Sequence, residues 1–106
     1  MTLPEMLDLY EKHAEHEYRK WERVTTRRCP RPDLHAMLLL EELVPWQPGT
    51  IPSTGQPMFI HFEHRMGYVG VSPLALAKVV TEAQLVELCR CGLCIDHDTD
   101  QLYFFV

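Results

Sequence analysis

Residues 58–92, MFIHFEHRMGYVGVSPLALAKVVTEAQLVELCRCG, change their apolar period partway along, and that change decides the fold class. From Met58 to Arg65 two sets alternate, Met58/Ile60/Phe62 and Phe59/His61/Glu63, as in a half-buried strand. Tyr68–Val71 follows across Met66-Gly67, which predicts a hairpin. Ser72-Pro73 then supplies a cap and a first-turn proline for a short helix over Leu74–Val80. Thr81-Glu82-Ala83-Gln84 is a capping box that starts another helix to about Arg90, with Gly92 closing it. Leu93–Asp96 and Gln101–Val106 predict a second hairpin around the Asp/Thr-rich turn His97–Asp100. The expected fold is therefore α+β, a small, mostly antiparallel sheet of two hairpins with two short helices between them.

Working back toward the N-terminus, Thr2-Leu3-Pro4-Glu5 combines a Thr cap, an early proline and a returning Glu. Leu3, Met6, Leu7, Tyr10, Ala14, Tyr18, Trp21 and Val24 recur at three- and four-residue steps, so one long amphipathic helix is expected to run through them. Thr25–Pro32 reads as a connector. Asp33 is expected to cap a second helix, Leu34–Val44, whose apolar residues surround most of its circumference and predict the most buried element. Residues 46–57 hold three prolines and two glycines and read as a surface loop carrying Trp46.

A chain of 106 residues supports one core, so a single domain over 1–106 is expected. No apolar run approaches a bilayer span, and the opening residues lack the basic and then apolar pattern of a signal peptide, so a cytoplasmic setting is expected. The net charge of −5 is uneven: residues 1–32 hold seven Lys/Arg against six Asp/Glu, and residues 33–106 hold three against nine. Arg19, Lys20, Arg23, Arg27, Arg28 and Arg31 form the one basic cluster. It reads either as a patch for phosphates or an acidic protein face, which keeps nucleic-acid binding open as an alternative, or as cations offsetting a helix dipole.

Cys89, Cys91 and Cys94, with His97 three residues on, carry the strongest metal-like spacing. Cys-x2-Cys suits zinc, with a fourth ligand from Cys89, His97 or Cys29. The competing reading makes Cys89 the end of an amphipathic helix and Cys94 an inward-pointing strand residue, both small buried hydrophobes. His61-Phe62-Glu63 upstream of Cys91-x-x-Cys94 resembles the His-x-Glu and Pro-Cys-x-x-Cys pair of zinc-dependent nucleoside deaminases, which would imply deamination at a zinc site. The proline before Cys91 is missing. His13 and His16 on the first helix lack the His-Glu-x-x-His pattern, and Asp96-x-Asp98-x-Asp100 has Gln101 where a calcium loop needs glycine.

The ending from Arg90-Cys91-Gly92 through Asp98-Thr99-Asp100 and Leu102 to Phe105-Val106 resembles the tails of small uncharacterised proteins encoded by phages and prophages. That resemblance covers under a quarter of the chain and implies a host-directed accessory or inhibitory factor. The expected function is accordingly non-catalytic protein binding, with Trp46 as an interface residue and no cofactor beyond the zinc alternative. The apolar end Phe104-Phe105-Val106 reads as a terminal strand of the kind often found at a sheet edge, and its alternation sends Tyr103 and Phe105 to one face and Leu102, Phe104 and Val106 to the other. Both faces want burial, which predicts a two-fold homodimer covering the second face, the alternative being a central strand covered on both sides by the chain's own helices and the Trp46 loop.

Overall fold

The computed structural model describes residues 1–47, 59–96 and 101–105. Four helices, α1 (Leu3–Glu17), α2 (Pro32–Leu43), α3 (Pro73–Val79) and α4 (Glu82–Arg90), accompany four strands, β1 (Ile60–Glu63), β2 (Met66–Val69), β3 (Cys94–Asp96) and β4 (Gln101–Phe105). The strands form one antiparallel sheet in the order β1-β2-β4-β3, and the fold is α+β. Val69, Ile95, Leu102 and Phe104 project from one face of the sheet into a core shared with Met6, Leu39, Leu40, Leu76, Leu85 and Leu88 of the helices.

Local chemistry accounts for most helix starts. The Thr2 hydroxyl accepts from the Glu5 amide at 3.2 Å and the Glu5 carboxylate accepts from the Thr2 amide at 3.1 Å, closing a capping box on α1. Thr81 and Gln84 do the same for α4, and Ser72 caps α3. Gly92, at φ 97°, provides the left-handed residue after α4.

Several expectations need correction. α1 ends at Glu17 instead of running to Val24: Arg19 takes φ 61° and its amide donates to the Cys89 carbonyl at the end of α4, 3.1 Å away. A left-handed backbone at a non-glycine residue costs about 1–2 kcal/mol. The turn it makes brings Val24 into the core and sets Trp21, in a single 3-10 turn (Trp21–Arg23), edge-on to His35. α2 begins at Pro32, because a proline loses nothing at the first helical position. Asp33 is thus inside the first turn, accepting from the Leu34 amide, and Arg31 stands at the cap position without a side-chain cap bond.

The first hairpin turns at His64-Arg65, not Met66-Gly67, and His64 adopts φ 57°. Gly67 lies within β2, where a Cβ would come within 2.8 Å of Ile60 Cδ1. β4 is central, paired with β2 on one side and β3 on the other, so the terminal-edge argument for a homodimer does not hold. Nor is α2 the most buried element: His35, Ala36, Leu39 and Leu40 are buried while Leu34 and Leu38 are exposed. Residues 48–58, 97–100 and 106, on which the expected loop, the start of the first expected strand and the second expected turn fall, lie outside the described residues.

Candidate functional site

α2 carries more apolar side chains than one buried face can take. Ala36, Leu39 and Leu40 fill the core, and the surplus, Leu34 and Leu38, lies one helical turn apart on the solvent side at 42% and 44% exposure, with Met37 half-buried beside them. Trp46 extends this stripe beyond the helix, 46% exposed, its amide donating to the Glu41 carboxylate at 3.2 Å. The sequence-based choice of Trp46 thus lands on a larger apolar surface. For Leu34 and Leu38 the signal in the sequence is the ring of apolar residues around α2; nothing in the sequence sets Phe62 of β1 apart.

Two clefts flank α2 and share Met37. One, of about 520 Å3, lies between the N-terminal end of α2 and the end of the sheet, walled by Trp21, Ile60, Phe62 and Phe104 with Arg19, Arg90 and Asp33 among its polar lining groups. The other, of about 390 Å3, is lined by Leu38, Glu41, Val44, Trp46, Phe59 and Val71. Both volumes are in the range of ligand pockets, and apolar walls with a few charges suit the side chains of a partner.

Half of the basic cluster is engaged internally. Arg23 pairs with Glu17 at 3.0 Å, Arg28 pairs with Glu42, and Arg27 donates to the Val24 and Trp21 carbonyls while stacking 4.5 Å from the Trp21 ring. Arg90, from α4, also grips Glu17 at 2.6 Å, and its hydrogen bond is the main reason that the Glu17 carboxyl is held below the usual carboxylate range. Among the described residues, no ion pair involves Arg19, Lys20 or Arg31. The side chain of Arg19 runs over Gly92, where an added Cβ would meet its Cγ at 3.6 Å.

His35, absent from the sequence-based candidates, organises this corner. It is the one buried polar side chain among the described residues. Its Nδ1 accepts the Arg28 amide at 3.1 Å, which leaves the ring proton on Nε2 to be donated to the Glu87 carboxylate, also at 3.1 Å. With both nitrogens committed, the ring fastens the connector before α2 to α4 and offers no free lone pair for proton abstraction.

The cysteines are divided by the fold. Cys89 lies in α4 and Cys91 follows it, both buried. Cys94 stands opposite Tyr103 in the β3-β4 register and so shares its face rather than the inward face of Ile95, yet it is buried, with its thiol 3.3 Å from the Tyr18 hydroxyl. Burial pushes the Cys89 thiol up to about 11 and the Cys91 thiol up to about 12, reinforced by Cys94 and Glu87 respectively, so neither is a ready thiolate. Among the described residues no three His, Cys, Asp or Glu side chains gather as a metal set, and His97 lies outside them. His61 and Glu63 sit on β1 and Cys94 on β3, opposite edges of a four-stranded sheet. At about 4.8 Å per strand the sheet's width separates His61 and Glu63 from Cys94, while Cys91, outside the sheet, lines a cleft with Phe62 but joins no metal set among the described residues.

Comparison with protein-family models, curated proteins and solved structures finds no match to this chain. Among the described residues no helix is long and apolar enough to cross a membrane.

Proposed function

We propose that the chain is a non-catalytic binding domain for another protein, and that it docks through the solvent-facing stripe of α2. The supporting observation is the run Leu34, Leu38 and Trp46, three large apolar side chains left exposed beside two apolar clefts. Trp46 is the side chain type most apt to anchor such an interface. The tail resemblance adds a context, a cytoplasmic phage-encoded accessory or inhibitory factor directed at a host protein. A photo-crosslinking residue replacing Leu38 is expected to yield one discrete protein adduct in cells of the native host, lost when Leu34→Asp is added. The same residue at Leu74, exposed on α3, is the control. No discrete adduct, or equal labelling from both positions, would overturn this function.

A second reading concerns self-association. Tyr68, Tyr103 and Phe105 share the face of the sheet away from the core, with rings 6.1 Å and 5.4 Å apart and Phe105 half exposed. A two-fold homodimer burying this face is expected to show twice the monomer mass in light scattering and to revert to monomer in Phe105→Ser; a monomer at high micromolar concentration defeats it.

A further inference from the structure

The cleft at the N-terminal end of α2 differs from its neighbour in charge. Its walls are apolar, but two arginines, Arg19 and Arg90, line it against one acidic residue, Asp33. Their commitments differ. Arg90 is held by Glu17, and Asp33 accepts the Leu34 amide. Arg19 is exposed and enters no ion pair among the described residues. It is nevertheless fixed in place: its amide is bonded to Cys89, and its stem lies along Gly92 with the guanidinium carbon 5.6 Å from the centre of the Tyr18 ring. Arg31 at the start of α2 and Lys20 beside Arg19 are likewise exposed cations without a carboxylate partner among the described residues. A chain with a net charge of −5 therefore presents local positive charge at the mouth of an apolar cleft.

We infer that this cleft receives an acidic peptide segment of the partner protein, with an aromatic or leucine side chain placed between Phe62 and Met37 and an Asp or Glu within two residues of it paired with Arg19. A pre-placed guanidinium loses little freedom on meeting a carboxylate, and the apolar wall beside it shields the pair from water. Phe62, 59% exposed, is the wall with most to gain from cover. The inference rests on the proposed protein-binding function and narrows it to one chemistry.

The test is selection of random twelve-residue peptides displayed against the intact chain, followed by titration of a labelled peptide from the enriched set. The expected enrichment couples Phe, Trp or Leu to Asp or Glu within two residues. Affinity is expected to fall about tenfold or more in Arg19→Glu and in Phe62→Ser, less in Arg19→Gln, and to weaken with added salt. Both side chains are exposed, and an unchanged circular dichroism spectrum confirms that the variants fold. No enrichment, basic sequences, or binding that Arg19→Glu leaves intact would overturn the inference. Binding lost in Leu34→Asp but kept in Arg19→Glu would sink it while leaving the α2 stripe as the docking surface. A dimer dissociated by Phe62→Ser would assign the cleft to a second copy and also overturn it.

Discussion

α2 and α4 are short helices of similar apolar content that end in opposite circumstances. In α4 the apolar residues Leu85, Leu88 and Cys89 face the core, while Glu82 and Ala83 face water. The helix is closed by a capping box at one end and Gly92 at the other, so nothing large and apolar is left over. In α2 the apolar residues exceed the buried face, the first position has no side-chain cap bond, and Leu34 and Leu38 are stranded in solvent. Their difference teaches that apolar content does not measure burial. What matters is whether the content fits one face, and the residue that does not fit is left as exposed apolar surface.

The largest expected break in that symmetry is between Leu88→Ala and Leu38→Ala. Leu88 is fully buried, and its truncation is expected to cost about 2–5 kcal/mol in urea denaturation, whereas Leu38→Ala should stay within about 0.5 kcal/mol. A Leu38→Ala cost as large as that of Leu88→Ala would show that the stripe belongs to the core.

Alkali should attack the α4 side first. The folded chain holds the protons of Cys89 and Cys91 to about 11 and about 12, above the ordinary value of 9.0, because burial disfavours the thiolates. Both groups have raised folded values, so their contribution is fully present below pH about 9 and is lost as pH rises toward the folded values. The loss is expected at about 1.4 kcal/mol per pH unit for each thiol. Cys89→Ala/Cys91→Ala, compared with the parent by denaturation from pH 8 to 10, should flatten that slope; an equal slope would remove the thiols as its source.

His35 joins the two regions, and His35→Leu tests the joint. It leaves the Arg28 amide and Glu87 without their shared partner and is expected to cost about 1–3 kcal/mol, with a change in the near-ultraviolet signal of Trp21. The smallest effect is expected in acid. Glu17 has a lowered folded value, chiefly through its hydrogen bond from Arg90, so its contribution is present above the ordinary carboxylate value and disappears as pH falls through the folded one. Glu17→Gln should slightly reduce the fall in stability between pH 4.5 and 2.5.

What was legible in the sequence was what closes within four residues. The Thr2, Ser72 and Thr81 caps, the Gly92 stop and the alternation of β4 depend on neighbours along the chain. The end of α1 was not legible, because the Cys89 carbonyl that captures the Arg19 amide lies seventy residues away. The same holds for the central place of β4, and for His35, whose partners Arg28 and Glu87 come from separate parts of the chain. Of the candidate site, Trp46 was readable as an anchor type, and Arg19 was readable only as one cation of six. Its distinction comes from Arg23 and Arg28 having carboxylate partners that the sequence does not reveal.

The central position of β4 also bears on how the chain is made. During synthesis β1 and β2 emerge as a hairpin whose inner edge has no partner until Gln101–Phe105 leaves the ribosome, more than thirty residues later. β3 waits for the same segment. Helices this short depend on packing against the sheet, and the sheet cannot close before β4, last in order among the described strands, arrives. A chain cut before Gln101 should therefore be sensitive to protease throughout the β1-β2 hairpin, and a chain that includes Gln101–Phe105 should not.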